Sequence, residues 1–277
     1  MKMKKLFAVL AAGLLLAGCL AGCGGSSNES AYADLTIMPG VELGVEEYGI
    51  AFRKGSDMVA KVDAISAELF KDGTMDAIAE KYEQKDNMVK TFVASTDSNP
   101  AGASDWEYIK NKGKMIVGVT DYAPMDYQDA NGKWIGFDAE YAEAVGKKLG
   151  VAIEFLEIDW DTKALALENK VIDCVWNGMT ITEEMLNAAD VSGAYMKNYQ
   201  VVVVKDAETY TSLESLKGKV VVAEAGSAGE KAAKADANLS VGYKEVPAMA
   251  DALLQVKSGA ADACVIDFIM AESLVGQ

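Results

Sequence analysis

The sequence feature that most constrains the fold is a strand, a tight turn and a helix start that follow one another around residue 177. Residues 172–176 are an apolar run typical of a buried β-strand, and Asn177-Gly178 is a turn sequence. Thr182 precedes two glutamates and can cap a helix, whose first turn favours acidic side chains. Such a unit predicts an α/β fold, and its converging N–H groups suit a small anion. An ordinary strand-to-helix turn would have the same pattern.

The alternation of strand and helix continues along the chain. Apolar runs flanked by turn residues predict strands at 114–119, 152–158, 199–205, 219–223, 241–246 and 261–266. A weak repeat, in which residues 164–175 are similar to residues 253–265, indicates two lobes of similar construction. Ligands of such folds bind where strands end, so we expect a cleft lined by the segments 120–122, 177–180, 226–228 and Asp267.

Composition excludes several classes of function. The 277 residues carry a formal net charge of −16, which makes nucleic acid an unfavourable partner. The chain contains no histidine, so histidine-based catalysis and histidine-containing zinc sites are excluded, and no metal or cofactor is predicted. Cys174 and Cys264 each fall in a predicted buried strand and are expected to be unpaired thiols, with a disulfide as the alternative.

The first residues have the pattern of an export signal. Three lysines precede an apolar run at 6–17 that is too short to span a membrane, so residues 1–22 are predicted to be a lipoprotein signal peptide. Lipobox-like sequences end at Cys19 and Cys23. We favour Cys23 as the lipidated residue, with Cys19 as the alternative, because the polar segment 23–31 would then be a flexible tether.

Six motifs, which together cover nearly all of the chain after the signal region, lie at 48–55, 117–124, 136–138, 159–161, 177–182 and 226–229. They resemble those of bacterial extracellular solute-binding proteins of amino-acid ABC importers, family 3, which have the type II periplasmic-binding fold. The resemblance implies an exported, lipid-anchored monomer at the outer face of the cell membrane or in the periplasm. Such a protein captures a small polar solute, here expected to be an amino acid, and delivers it to the importer's membrane subunits without catalysis.

The order of these motifs differs from that of the family. Residues 48–55 and the helices predicted after them resemble the family's C-terminal end, whereas the segment from Lys114 resembles its N-terminal start. The resemblance therefore implies a circular permutation in which residues 94–104 join the old ends. A truncated or mis-joined chain is the alternative. The permutation predicts that Ala31 and Gln277 lie close together.

The permutation also predicts a domain map with two hinge crossings. Lobe 1 is expected to span residues 54–204, and lobe 2 to combine residues 32–47 with 205–277. The strands 48–54 and 199–205 would connect the lobes. A two-strand hinge lets the lobes close over a ligand as rigid bodies.

The resemblance assigns ligand contacts to three aromatic residues. Tyr122 and Trp160 lie at a strand end and at a helix start, where they would wall the ligand; core packing is the alternative. Trp176 lies within a predicted strand, so ligand contact and core packing are equally expected for it.

Small and polar residues would supply hydrogen bonds. Asn177 and Thr180 would offer their side chains, and Gly178 would let the ligand approach the backbone. Ser227 and the N–H of Ala228 would bind a carboxylate at a second helix start, where plain capping is the alternative.

Two charged positions decide which ligand is expected. Asp267 would pair with an α-ammonium group, with capping of the last helix as the alternative. Met185 stands where the family usually carries an arginine that grips the α-carboxylate with two hydrogen bonds. The chain's single arginine, Arg53, lies in a predicted hinge strand. Either backbone N–H groups and a lysine such as Lys163 or Lys197 replace this clamp, or the ligand is not a standard α-amino acid.

Two other functions stay open at this stage. One is an enzyme on the same fold, such as a dehydratase that uses a cleft carboxylate as acid or base. The absence of histidine, and of an obvious carboxylate pair, counts against it. The other is the ectodomain of a solute sensor, which the lack of a predicted spanning helix disfavours.

Overall fold

The computed structural model describes residues 31–96 and 104–276. The predicted signal peptide with Cys19 and Cys23, residues 23–30 of the predicted tether, residues 97–103 and Gln277 lie outside these ranges. Within the described ranges, no helix combines the length and the apolar character needed to cross a bilayer.

Strands and helices alternate through the described chain, which confirms the predicted α/β fold. The strands are β1 (Thr36–Ile37), β2 (Val45–Tyr48), β3 (Ala51–Arg53), β4 (Lys114–Val119), β5 (Tyr127–Gln128), β6 (Trp134–Ile135), β7 (Ala152–Glu157), β8 (Cys174–Val175), β9 (Ala189–Val191), β10 (Met196–Val204), β11 (Val221–Glu224), β12 (Tyr243–Val246) and β13 (Ala263–Asp267). The α-helices are α1 (Met58–Lys71), α2 (Thr74–Lys81), α3 (Asp105–Lys112), α4 (Phe137–Leu149), α5 (Lys163–Glu168), α6 (Glu183–Ala188), α7 (Ala228–Ala235), α8 (Met249–Ser258) and α9 (Phe268–Leu274).

Two main sheets organise the described residues. The first sheet has the order β7-β4-β8-β3-β9, in which β4 pairs in parallel with β7 and β8, and β3 is antiparallel to β8 and β9. The second sheet has the order β1-β10-β13-β11-β12, with β2 also paired to β10. In it β11 is parallel to β12 and β13. Parallel strands end at one edge of their sheet, and in each sheet this edge carries the loops that form the site described below.

The chain passes between the sheets at residues 49–50, from β2 to β3, and at residues 192–195, from β9 to β10. The predicted hinge strand 199–205 differs from the second of these crossings, because all of β10 pairs within the second sheet and residues 200–204 lie opposite β13. A run of β-branched residues predicts a strand but does not show which sheet that strand pairs with. The lobe boundaries themselves stay a prediction.

The two described ends of the chain lie side by side. Tyr32 forms a parallel β-bridge with Val275, and the backbone N–H of Gly276 donates to the Tyr32 carbonyl at 3.3 Å. Within the segment 32–38, the strand β1 covers only Thr36–Ile37. Ala31 contacts Lys257 through its carbonyl.

The two remaining cysteines have the predicted state. Cys174 in β8 and Cys264 in β13 are fully buried and unpaired. The disulfide alternative is therefore wrong.

Candidate functional site

A cavity of about 220 Å³ lies between the two main sheets. The first sheet contributes the loops after β4 and β8 together with α5 and α6, and the second contributes the ends of β11 and β13 together with α7. Nine of the ten predicted contact residues line this inter-sheet cavity: Tyr122, Trp160, Asn177, Gly178, Thr180, Met185, Ser227, Ala228 and Asp267.

Trp176 is the predicted residue that does not line the inter-sheet cavity. It is fully buried, and its ring meets Tyr141 of α4 edge-on, with centroids 4.7 Å apart. Successive residues of a strand point to opposite faces, so Trp176 packs in the core beneath the sheet edge. Of its two expected roles, core packing is the one observed.

The Asn177-Gly178 turn is held by groups behind the inter-sheet cavity. The Asn177 carbonyl oxygen accepts from the N–H and hydroxyl of Thr120, and its amide nitrogen donates to Asp126 at 2.8 Å. The Asn177 side chain is thus committed within the protein, which differs from its expected offer to a ligand. Gly178 has φ 55°, and its N–H donates to Asp138 at 2.7 Å, so Asp138 positions this turn.

Gly178 also lies against a pair of buried tyrosines. A Cβ at this position would come within 2.5 Å of the Tyr122 ring and 3.0 Å of the Tyr48 ring. The two hydroxyls are hydrogen-bonded at 2.7 Å. The pair connects the loop after β4 to the end of β2, and glycine is required for that approach.

The helix cap predicted at Thr182 is present, and Met185 faces the inter-sheet cavity. The Thr182 hydroxyl accepts from the N–H of Met185 at 3.2 Å. Met185 lines the cavity with an apolar side chain and is almost fully buried. The first turn of α6 therefore presents the Met185 thioether to the inter-sheet cavity, at the position where the family usually has a guanidinium.

Ser227 caps α7, as the capping alternative anticipates. Its hydroxyl accepts from the N–H of Glu230 at 3.1 Å. The Glu230 carboxylate in turn accepts from the N–H of Gly226 at 2.7 Å. A carboxylate is thus already present at this helix start.

Asp267 lies at the end of β13 beside a second carboxylate that sequence analysis missed. Asp267 Oδ1 accepts from the side-chain amides of Asn198 and Gln200, and Glu46 Oε1 accepts from the same two amides. Burial and the charge of Glu46 hold the pKa of Asp267 well above its usual range. The other oxygen of Glu46, Oε2, accepts from the Thr180 hydroxyl at 2.8 Å. Sequence analysis found no obvious carboxylate pair, but Glu46 and Asp267 form one in the structure.

Lys163 and Trp160 connect the two sides of the inter-sheet cavity. The Lys163 ammonium lies 4.7 Å from the centroid of the Trp160 ring. It donates to the carbonyls of Trp160 at 3.0 Å and Gly226 at 2.9 Å. Burial lowers the pKa of Lys163. Lys197, the other lysine considered as a clamp, is exposed on β10 and does not line the cavity.

Glu224 is the second acidic group that sequence analysis did not identify as part of the site. It ends β11, is 2% exposed and lines the inter-sheet cavity. Among the described residues, its Oε1 atom has no hydrogen-bond partner. Burial raises its pKa to about 8, although Lys163, the Thr120 hydroxyl and the N–H of Met249 oppose that rise. Asp251 adds to it.

Glu224→Gln is expected to flatten part of the pH dependence of stability in the ligand-free protein. Since the folded pKa of about 8 lies above the ordinary value of 4.5, the folded state keeps a proton that the unfolded state releases. The stability from this group is therefore complete below about pH 4.5 and is lost as the pH rises through 8. Thermal unfolding between pH 5.5 and 8.5 should show the variant gaining about 3 kcal/mol on the wild type across this range. Parallel curves for the two proteins would contradict the assignment.

No cluster of acidic or cysteine side chains in the described ranges has the arrangement of a metal site. The polar groups of the inter-sheet cavity are instead carboxylates, amides and lysines, which suit an organic ion.

Comparison with known proteins identifies relatives of the same kind. The family model for bacterial extracellular solute-binding proteins, family 3, matches residues 115–267. The arginine-binding extracellular protein ArtP of Bacillus subtilis is 34% identical over 174 residues, which cover 62% of this chain and 68% of ArtP.

Solved structures agree with the family match. The arginine-bound form of truncated ArgBP from T. maritima superposes with a TM-score of 0.57 and 31% identity, over 60% of this chain and 79% of that one. The ancestral amino acid-binding protein AncCDT-1, a precursor of cyclohexadienyl dehydratase, superposes with a TM-score of 0.55 and 38% sequence identity. This match covers 59% of this chain and 74% of AncCDT-1. These similarities support the predicted two-lobed fold.

Proposed function

The chain belongs to the bacterial extracellular solute-binding proteins, family 3, and on that premise we propose that it captures a small solute with an ammonium group for an ABC importer. It works without catalysis, and an amino acid is the solute that its relatives make most natural, since ArtP and ArgBP are named for arginine. The protein is exported and held at the outer face of the membrane by a lipid on Cys23, with Cys19 as the alternative.

The observation that carries this proposal is the position of Asp267. It places a buried carboxylate at the end of β13, inside a cavity that both sheets line. Within the described ranges, no lysine or arginine forms an ion pair with it. A buried carboxylate without a cation is unfavourable, and a ligand ammonium group would neutralise it.

Hinge motion gives the binding step its mechanism. Residues 49–50 and 192–195 are the crossings between the sheets, so rotation about them opens or closes the inter-sheet cavity. Lys163 bridges the gap by its hydrogen bond to the Gly226 carbonyl. Closure over the solute creates the surface that the importer's membrane subunits recognise.

A thermal-shift screen of the purified protein tests the proposal. Amino acids, amines, short peptides and organic acids are compared at equal concentration, and hits are measured by calorimetry. We expect compounds with an ammonium group to raise the melting temperature and organic anions to leave it unchanged. Stabilisation by organic acids alone would overturn the proposal. Bound solute recovered chemically unchanged separates a carrier from the alternative of a dehydratase-like enzyme, for which the Glu46–Asp267 pair would be the acid and base.

We also propose that the chain is a circular permutant of its relatives. The family match covers residues 115–267, and the strand that resembles the family's C-terminal end, β3, lies between β8 and β9 in the first sheet. The adjacency of Tyr32 and Val275 supports the same connectivity.

A reordered gene tests the permutation. Joining Gly276 to Tyr32 by a short linker and opening the chain within residues 97–103 should give a folded protein with the same ligand and an affinity within about threefold, because the contacts are kept. Circular dichroism and calorimetry provide the readouts. An unfolded product from this gene, alongside a folded original, would contradict the proposed order.

A further inference from the structure

We propose that the solute of this protein is a short aliphatic diamine, held by its two ammonium groups and without a carboxylate. The inference rests on the proposed function and names the chemical class of its ligand. One ammonium group lies against the Glu46–Asp267 pair and the other against Glu224.

Two of the places expected to hold a ligand carboxylate already carry a protein carboxylate. Met185 offers no charge, and the Thr180 hydroxyl donates to Glu46 at 2.8 Å, so a protein carboxylate takes that hydrogen bond. The Ser227 hydroxyl accepts from the N–H of Glu230 as a helix cap, and the Glu230 carboxylate faces the same helix start. A ligand carboxylate at either place would meet a like charge.

The two lysines of the cavity already have protein acceptors. Lys163 donates to two backbone carbonyls, and Lys231 pairs with Glu184 at 3.1 Å. Arg53 lies apart from the cavity, where it pairs with Asp105 and Asp173. Among the described cavity-lining residues, acids outnumber bases, because five carboxylates face two lysines.

Three carboxyl groups, by contrast, form no ion pair with a protein cation in the described ranges. They are those of Glu46, Asp267 and Glu224. Glu46 and Asp267 receive only neutral amide and hydroxyl donors, and Glu224 Oε1 is buried without a partner. Burying carboxylates in this way is unfavourable unless a ligand supplies the missing cations.

The position of these carboxyl groups on neighbouring strands favours two cations on one molecule. β11 and β13 are adjacent parallel strands in which Val222 lies opposite Cys264, so Glu224 and Asp267 end neighbouring strands at the same edge. Trp160, Met185 and Met249 give the cavity apolar walls. A short methylene chain with an ammonium group at each end fits both features.

Matched ligands that differ only in the carboxylate test the inference. Isothermal titration of the full chain should find 1,5-diaminopentane binding at least tenfold more tightly than lysine, and 1,4-diaminobutane at least tenfold more tightly than ornithine. Lysine binding as tightly as 1,5-diaminopentane would overturn the inference and leave the proposed function standing. If the folded protein binds no diamine, monoamine or amino acid, both fail.

Variants assign the two ends of the ligand. Glu224→Gln should weaken 1,5-diaminopentane at least tenfold and pentylamine less than twofold, because only the diamine has a second ammonium group. Glu46→Gln should weaken both amines, and Glu154→Gln, at an exposed position on β7, should weaken neither. An equal loss for both amines in Glu224→Gln would overturn the assignment of the second ammonium group.

Discussion

Asp267→Asn is expected to lower the affinity for the solute at least 100-fold. The substitution removes the charge that we propose pairs with the ligand ammonium group, and it keeps the size of the side chain. Removing one partner of a buried charge pair typically costs about 2–5 kcal/mol of binding free energy, and each 1.4 kcal/mol is about a factor of ten. Calorimetric titration with the best ligand of the thermal-shift screen measures the loss directly.

The folded state should tolerate this substitution. Asparagine keeps the Oδ1 atom that accepts from Asn198 and Gln200, and it removes the repulsion between Asp267 and Glu46. The ligand-free variant should therefore melt at or above the temperature of the wild type at pH 8, where the wild-type carboxyl is costly to ionise. Retained affinity in a folded variant would show that Asp267 does not bind the ligand.

The parts of the site that sequence reasoning found are those set by local rules. The caps at Thr182 and Ser227 follow from which residues precede a helix, and both are present. The position of Asp267 follows from the rule that ligands bind at strand ends. Nine of the residues predicted from local pattern and from the family resemblance line one cavity.

The parts that sequence reasoning missed depend on pairing between distant strands. Glu46 reaches Asp267 only because β2 and β13 both pair with β10, which places Asn198 and Gln200 between the two carboxylates. A signal was nevertheless present, because Glu46 and Tyr48 are two residues apart on one strand and so share a face. The burial of Glu224 had no such signal, since a glutamate at a strand end is usually exposed.

The sequence also did not predict on which face of the sheet an aromatic residue lies. Trp176 and Asn177 are neighbours at the end of β8, yet Trp176 packs under α4 while Asn177 lines the inter-sheet cavity. Which of two faces is the core depends on where α4 packs, and α4 belongs to an earlier part of the chain. The strand pattern alone predicts only that the two side chains point to opposite faces of the sheet.

The acids of the cavity that lack an ion pair in the described ranges, together with the buried arginine, are the reason why we expect charge, rather than shape, to decide the ligand. A chain with one arginine can use it either to hold a ligand carboxylate or to hold its own fold. Here the guanidinium binds the strand that precedes the Asn177-Gly178 turn, while Glu224 and Asp267 line the cavity without an ion pair in the described ranges.

Arg53→Met is accordingly expected to destabilise the protein by about 3–5 kcal/mol without changing the affinity of the molecules that fold. Arg53 is 8% exposed; its Nε atom donates to Asp105 at 3.0 Å and its Nη1 atom to the Ile172 carbonyl at 2.8 Å. Nη2 lies 3.4 Å from Asp173, which also accepts from Lys112 at 2.5 Å. Removing the guanidinium leaves buried acceptors without their cation, which is the costly way to break a buried ion pair.

Lys54, the residue after Arg53, provides the matched control for Arg53→Met. Lys54 pairs with Asp190 at 3.1 Å, but its side chain is 55% exposed, so Lys54→Met should cost less than about 1 kcal/mol. Thermal unfolding should place Arg53→Met about 10 °C below the wild type and Lys54→Met within a few degrees of it. Titration at a temperature where both variants are folded should return wild-type affinities, because neither residue lines the cavity. A loss of affinity in Arg53→Met with little loss of stability would mean that the arginine reaches the ligand, and the carboxylate-free solute would then lose its main support.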